Sequence, residues 1–108
     1  MFGIFGDSLE RLFTKELKAR GAKIPKAAVR EIVAMATASV PPAQRALPGE
    51  HGHNLGEDAV IHFAAWTAMV ANKAAGRPLR TSALDPDIYP ETEAALRAIL
   101  VKHGAVAA

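Results

Sequence analysis

One segment, residues 54–76, constrains the fold most strongly, because it is apolar on nearly every side of a predicted helix. Asn54 is the predicted N-cap, Glu57 stands in the capping-box position, and Gly76 is the predicted terminator. The apolar positions are Val60, Ile61, Phe63, Ala64, Ala65, Trp66, Ala68, Met69 and Val70. Because such a helix is normally enclosed by its neighbours, the sequence predicts a central helix wrapped by the other elements.

The rest of the chain repeats its apolar residues at helical spacing and contains no sustained strand-like alternation. Three amphipathic helices are predicted, over residues 8–20, 25–39 and 90–103. Asp7 is the predicted cap of the first, and Gly21 and Gly104 are predicted stops. Asp85 with the following proline indicates a further helix start.

These elements predict an all-α fold in a single domain over residues 1–108, either a small bundle or an orthogonal array of about four main helices. Residues 1–6 are expected to form an apolar N-terminal hook. Residues 41–54 are expected to form an irregular connection rich in Pro, Gly and His, with a short helical turn near its start. Residues 104–108 are expected to fray.

Composition excludes several classes of protein. The chain has no cysteine, which rules out disulfides and thiolate metal sites and favours a cytoplasmic location. Its longest near-continuous apolar run, residues 59–71, is shorter than the ~20 residues that span a bilayer, so no transmembrane segment is expected. The first residues lack the basic and apolar regions of a signal peptide.

Three of the four histidines lie close together in the sequence, beside several carboxylates. Side chains of His51, His53, Asp58 and His62 could together hold Zn²⁺ or another transition ion. The spacing matches no established zinc motif, such as HExxH. The alternatives are solvated histidines in a glycine-rich loop and an ordinary surface pair between Asp58 and His62, one helical turn apart.

No pattern in the sequence identifies a catalytic site. The glycines at positions 49, 52 and 56 have the wrong spacing for a phosphate loop or a dinucleotide fingerprint, and no strand precedes them. A Ser–His–Asp set cannot be assembled from sequence separation alone. The sequence therefore favours a protein that is not an enzyme.

Basic residues concentrate in the first half of the chain. Residues 1–48 carry eight Lys/Arg and four Asp/Glu, a net +4, whereas residues 49–108 carry five and seven, a net −2. One alternative function is therefore nucleic-acid binding. The candidate residues are Arg11, Lys15, Lys18, Lys23 and Lys26. No aromatic residues interleave with them for base stacking, and a solvated helix face is the common outcome for such a row.

The beginning of the chain holds more apolar residues than a short first helix can bury. Phe2, Ile4 and Phe5 precede the predicted cap. Packing onto the local core explains part of this excess, and the remainder favours self-association or docking on another protein. The predicted function is a protein-interaction module or a small homo-oligomer, with Phe2, Ile4 and Phe5 as partner contacts.

Overall fold

Helices make up most of the part of the chain that the structure describes. The computed structural model describes the backbone of residues 2–77 and 87–108 and the side chains of residues 8–77 and 87–108. Within these ranges the chain forms four α-helices, one 3-10 turn and no β-strand. They are α1 (Phe2–Ala19), α2 (Lys26–Ala38), the 3-10 turn Pro42–Gln44, α3 (Leu55–Ala74) and α4 (Pro90–Lys102). The predicted all-α class is confirmed.

Helix α3 is central, because it packs against each of the other three helices. Its start is fixed by the predicted capping box. The Glu57 N–H donates to Asn54 Oδ1 over 2.8 Å, and the Asn54 N–H donates to Glu57 Oε1 over 3.0 Å. Two backbone N–H groups that the first turn leaves without helical acceptors are thereby satisfied.

Every helix contributes side chains to one hydrophobic core around α3. Phe13 of α1, Ile32 of α2, Val60 of α3 and Leu96 of α4 are each fully buried. Thr67, also fully buried on α3, donates its hydroxyl hydrogen to the Phe63 carbonyl over 2.6 Å. The core therefore leaves no polar side-chain atom of Thr67 without a partner.

Helix α1 begins earlier than the sequence predicts. It starts at Phe2 rather than near Ser8, so Asp7 lies inside the helix and is not its cap, and residues 2–6 continue the helix instead of forming a separate hook. An N-terminal extension gives the next turn's N–H groups backbone carbonyl acceptors, which removes the need for a side-chain cap at Asp7.

The end of the chain turns back toward the core. Gly104, with φ of 72°, turns the chain after α4, and the Ala105 N–H donates to the Leu100 carbonyl over 2.8 Å. This turn directs Ala105 and Val106 against the core. The fraying of residues 104–108 stays a prediction, and the glycine turn brings two of these residues into apolar contacts.

Asn72 of α3 is buried although the next residue, Lys73, is exposed. It is 2% exposed, and its Nδ2 donates to the Arg20 carbonyl over 3.1 Å. A carbonyl at the C-terminal end of α1 has no helical donor, and Asn72 supplies one. The hydrogen bond joins the C-terminal ends of α1 and α3.

Two predictions of the sequence analysis concern membrane spans and the start of the last helix. In the described ranges, no helix combines the length and apolar character that crossing a bilayer requires. The helix start predicted at Asp85 and the proline after it lies outside the described residues, whereas the start at Pro90 is confirmed.

A charged cluster joins α2 to the end of α4. Glu31 accepts hydrogen bonds from Lys102 Nζ and contacts His103 Nε2, each over 2.8 Å. The hydrogen bond from Lys102, followed by that from His103, holds the pKa of the Glu31 carboxyl below its ordinary value of 4.5. The ionised carboxylate is therefore the form that stabilises the contact between these helices.

Loss of a large side chain from α3 should destabilise the whole fold. Phe63 is 8% exposed and its ring lies 5.0 Å from that of Trp66. We expect Phe63→Ala to lower the free energy of unfolding by about 3–5 kcal/mol in urea denaturation, because it leaves a cavity. Ile61→Ala, at a half-buried position of the same helix, is the control. An equal loss in both variants would contradict a core centred on this face of α3.

The Glu31 cluster predicts a pH dependence of stability. Because the folded-state pKa is lowered, the contribution is present above the ordinary value of 4.5 and is lost as pH falls through the folded pKa. We expect the stability difference between the wild type and Glu31→Gln to shrink from about pH 6 to about pH 3 in thermal melts. A difference that stays constant over this range would contradict the assignment.

Candidate binding groove between the first two helices

The turn between α1 and α2 places cationic residues from both helices around one groove. Gly21 ends α1 with φ of 78°, a left-handed conformation that glycine adopts without steric cost. The Gly21 N–H donates to the Lys18 carbonyl over 3.0 Å, and the Ala22 N–H donates to the Leu17 carbonyl over 3.1 Å. This C-terminal motif reverses the chain and buries Ala22 against the helices.

The groove has a volume of about 1030 Å³ and an apolar floor. The floor is formed by Leu17, Ala22, Ile24 and Val29, each less than 9% exposed. Five exposed cationic side chains surround it, three from α1 and two from the turn and the start of α2. They are Arg11, Lys15, Lys18, Lys23 and Lys26.

The charge of the groove is strongly one-sided. One carboxylate, Glu10, lies among the lining residues, and it is 3.7 Å from the Nε of Arg30 outside the groove. Lys15, Lys18, Lys23 and Lys26 form no ion pair with the described part of the chain. A neighbouring array of exposed cations attracts anionic groups, and the attraction is screened by salt.

The start of α2 adds to this positive potential. Its N-cap, Pro25, makes no side-chain capping hydrogen bond, and its first turn contains no acidic residue. The partial positive charge at the N-terminal end of the helix is therefore not offset locally. In addition, Lys26 is the first residue of the helix, where a cation is electrostatically unfavourable unless an anion binds nearby.

The described lining of the groove is cationic at its rim and apolar at its floor. Its described lining residues include the hydroxyl of Thr14 but no histidine and no pair of carboxylates. None of them is aromatic, so the groove offers no surface for base stacking. The arrangement can hold carboxylates or phosphates at its rim and apolar groups over its floor.

The five basic residues proposed from the sequence as a nucleic-acid surface all line this groove. Their helical spacing and the short turn were sufficient to predict that they lie near one another. The apolar floor was not predicted. Its signal in the sequence is the alternation at Ala22, Lys23 and Ile24, where two buried residues flank an exposed cation.

The predicted partner contacts at the start of the chain lie on α1. Phe2, Ile4 and Phe5 are within the helix, and their side chains are outside the described residues. Elsewhere in the described side chains, the large hydrophobic residues that are exposed are Leu47 and Tyr89. The role of Phe2, Ile4 and Phe5 as partner contacts stays a prediction.

The predicted metal ligands have other partners in the structure. Asp58 Oδ2 accepts the Glu50 N–H over 2.8 Å, and His53 Nδ1 lies 4.0 Å from a Glu57 carboxylate oxygen. The ring of His62 lies 6.2 Å from that of Trp66. Asp58 and His62 do line one open cavity of about 630 Å³.

No three His, Asp or Glu side chains of the described residues are arranged to hold a metal ion. His51 is exposed in the loop with φ of 53°. The sequence does not reveal that Asp58 accepts a hydrogen bond from the backbone of the connection. The structure gives no support to the zinc site.

Comparisons with protein-family models, with curated protein sequences and with solved structures give no match to this chain. The proposed function therefore rests on the residues of the groove and on their charge and burial.

The contact between Asp58 and the connection predicts a specific steric effect. A Cβ at Gly49 would overlap the Asp58 carboxylate. We expect Gly49→Ala to lower the free energy of unfolding by about 1–3 kcal/mol, measured by urea denaturation. In an Asp58→Ala background the same substitution should cost much less, because the obstructing carboxylate is gone. Equal costs in the two backgrounds would contradict this contact.

Proposed function

We propose that this chain is a non-enzymatic protein-interaction module that binds an acidic protein segment in the groove between α1 and α2. One observation carries the proposal: an apolar floor and five exposed cations share the same groove. Four of these cations, the lysines, have no ion pair with the described part of the chain. An acidic partner supplies the missing counter-charges.

The apolar floor favours a peptide over a purely ionic ligand. A single exposed ion pair contributes only about 0.2–1 kcal/mol, so contacts at the rim alone give weak binding. A peptide that alternates acidic and apolar side chains would also contact the small exposed parts of Ala22 and Ile24 and the aliphatic stems of the surrounding lysines. Charge then directs the approach of the partner, and apolar burial adds affinity.

Nucleic acid is the second candidate, and the convergence of all five cations on one groove favours it. Phosphates need only cations on a rigid element. The described lining contains no aromatic side chain, so contacts would be confined to the sugar–phosphate backbone. Such binding would show no base preference and a steep dependence on salt.

Charge reversal in the groove tests the proposal. The probe is a fluorescein-labelled peptide of alternating Glu and Leu, titrated with protein and followed by fluorescence anisotropy. We expect Lys18→Glu with Lys23→Glu to weaken binding about tenfold or more, because two attractive pairs become repulsive. Arg77→Glu with Arg97→Glu is the matched control, since it changes net charge equally at exposed positions outside the groove.

Equal loss of affinity in the control and in the groove variant would contradict the groove as the binding surface. A labelled DNA duplex titrated in the same way separates the two candidates. DNA binding that the groove variant alone loses, with no binding of the acidic peptide by the wild type, would replace the proposal by its nucleic-acid alternative.

A further inference from the structure

A second surface carries the opposite charge and lies at the start of α4. Residues 87–89 precede the helix without regular secondary structure, and Tyr89 has extended dihedrals, φ −76° and ψ 144°. Ile88 packs against the core, whereas its neighbours Asp87 and Tyr89 are exposed. The half-buried isoleucine therefore anchors an extended stretch whose acidic and aromatic side chains are accessible to a partner.

The carboxylates and the tyrosine ring of residues 87–91 are accessible to a partner. Asp87 and Glu91 are exposed and form no ion pair within the described residues, unlike Glu93, which lies 3.8 Å from Lys73. Tyr89 is 68% exposed, a large fraction for an aromatic residue on an anchored segment. Tyrosine is among the residues that most often dominate the energy of protein interfaces.

We infer that the groove between α1 and α2 binds residues 87–91 of a second copy of this chain. The inference rests on the proposed function, because it requires a groove that accepts acidic segments. Charge complementarity supports it: the lysines of the groove and the acids of the segment both lack partners within the described part of one copy. The net charge of the sequence has the same asymmetry: it is +4 for residues 1–48 and −2 for residues 49–108.

The dimensions of the two surfaces agree. Arg11 and Lys18 are seven residues apart on α1, which corresponds to about 10 Å along the helix axis. Asp87 and Glu91 are separated by four residue steps, at most about 13 Å. With the two carboxylates at the basic wall, the Tyr89 ring between them lies over the apolar floor.

Groove and segment are different surfaces of one chain, so a single contact between them leaves a free groove on one copy and a free segment on the other. The association either closes in a reciprocal dimer, in which each copy inserts its segment into the other, or continues as a chain of copies. A segment of five residues buries little area compared with a stable interface. The association is therefore weak, dependent on concentration and sensitive to salt.

Sedimentation velocity of the full chain over a range of concentrations, at low and high salt, tests the inference. We expect the wild type to associate at low salt and to become monomeric at high salt. The groove variant Lys18→Glu with Lys23→Glu and the segment variant Asp87→Lys with Glu91→Lys should each associate about tenfold or more weakly than the wild type. Tyr89→Ser should also weaken association without any change in charge.

Mixing the two charge variants gives the sharpest result. In the mixture, the acidic groove of one variant faces the basic segment of the other, and the native groove and segment remain complementary in the reverse pairing. We expect association to return in the mixture, while each variant alone stays monomeric. Circular dichroism establishes that each variant is folded, and Arg77→Glu with Arg97→Glu should associate as the wild type does.

Two outcomes would overturn the inference: folded charge variants that associate like the wild type, or a mixture that does not recover. A wild type that stays monomeric at every concentration, yet binds the acidic Glu–Leu peptide in its groove, would overturn self-association and leave the proposed function intact. A wild type that binds neither the peptide nor itself would overturn both.

Discussion

Burial of α3 on nearly all sides is the constraint on which the rest of the structure depends. Val60, Ala65 and Val70 are buried on three different sides of α3, so the helix needs neighbours around most of its circumference, and α1, α2 and α4 provide them. Alanines at many of these contacts permit the helices to approach closely. The short α1–α2 turn follows from this arrangement, because both helices must reach the same central element within a few residues of chain.

The groove is a consequence of that packing. The residues that fix the turn, Ala22 and Ile24, direct their side chains into the core, so the lysines between and beside them are directed outward. Cations from two helices therefore surround buried apolar residues without a dedicated loop or cofactor. This links the groove to the stability of the fold: under the proposed function, substitutions at the floor would affect both binding and stability, whereas substitutions of the exposed lysines would affect binding alone.

Sequence patterns predicted the helices well where local chemistry determines their ends, as at the Asn54 capping box and at Gly21, Gly76 and Gly104. They do not reveal tertiary contacts such as that of Asn72, whose partner is the Arg20 carbonyl 52 residues away. The five cations of the groove could be predicted to lie together because they are close to one another in the sequence. The apolar floor of the groove could not be predicted from residue spacing, because it depends on how the helices pack. The same holds for the hydrogen bond between Asp58 and the connection that joins α2 to α3.

The central claim is that an acidic ligand occupies the groove, and chemical-shift mapping tests it most directly. Titration of the Glu–Leu peptide into ¹⁵N-labelled protein, at a concentration where the protein is monomeric, identifies the amides whose surroundings change. The account predicts that the largest shifts fall between residues 10 and 29, including Ala22 and Ile24 on the floor. Shifts confined to other surfaces, or shifts of the exposed lysines with none at the floor, would contradict it.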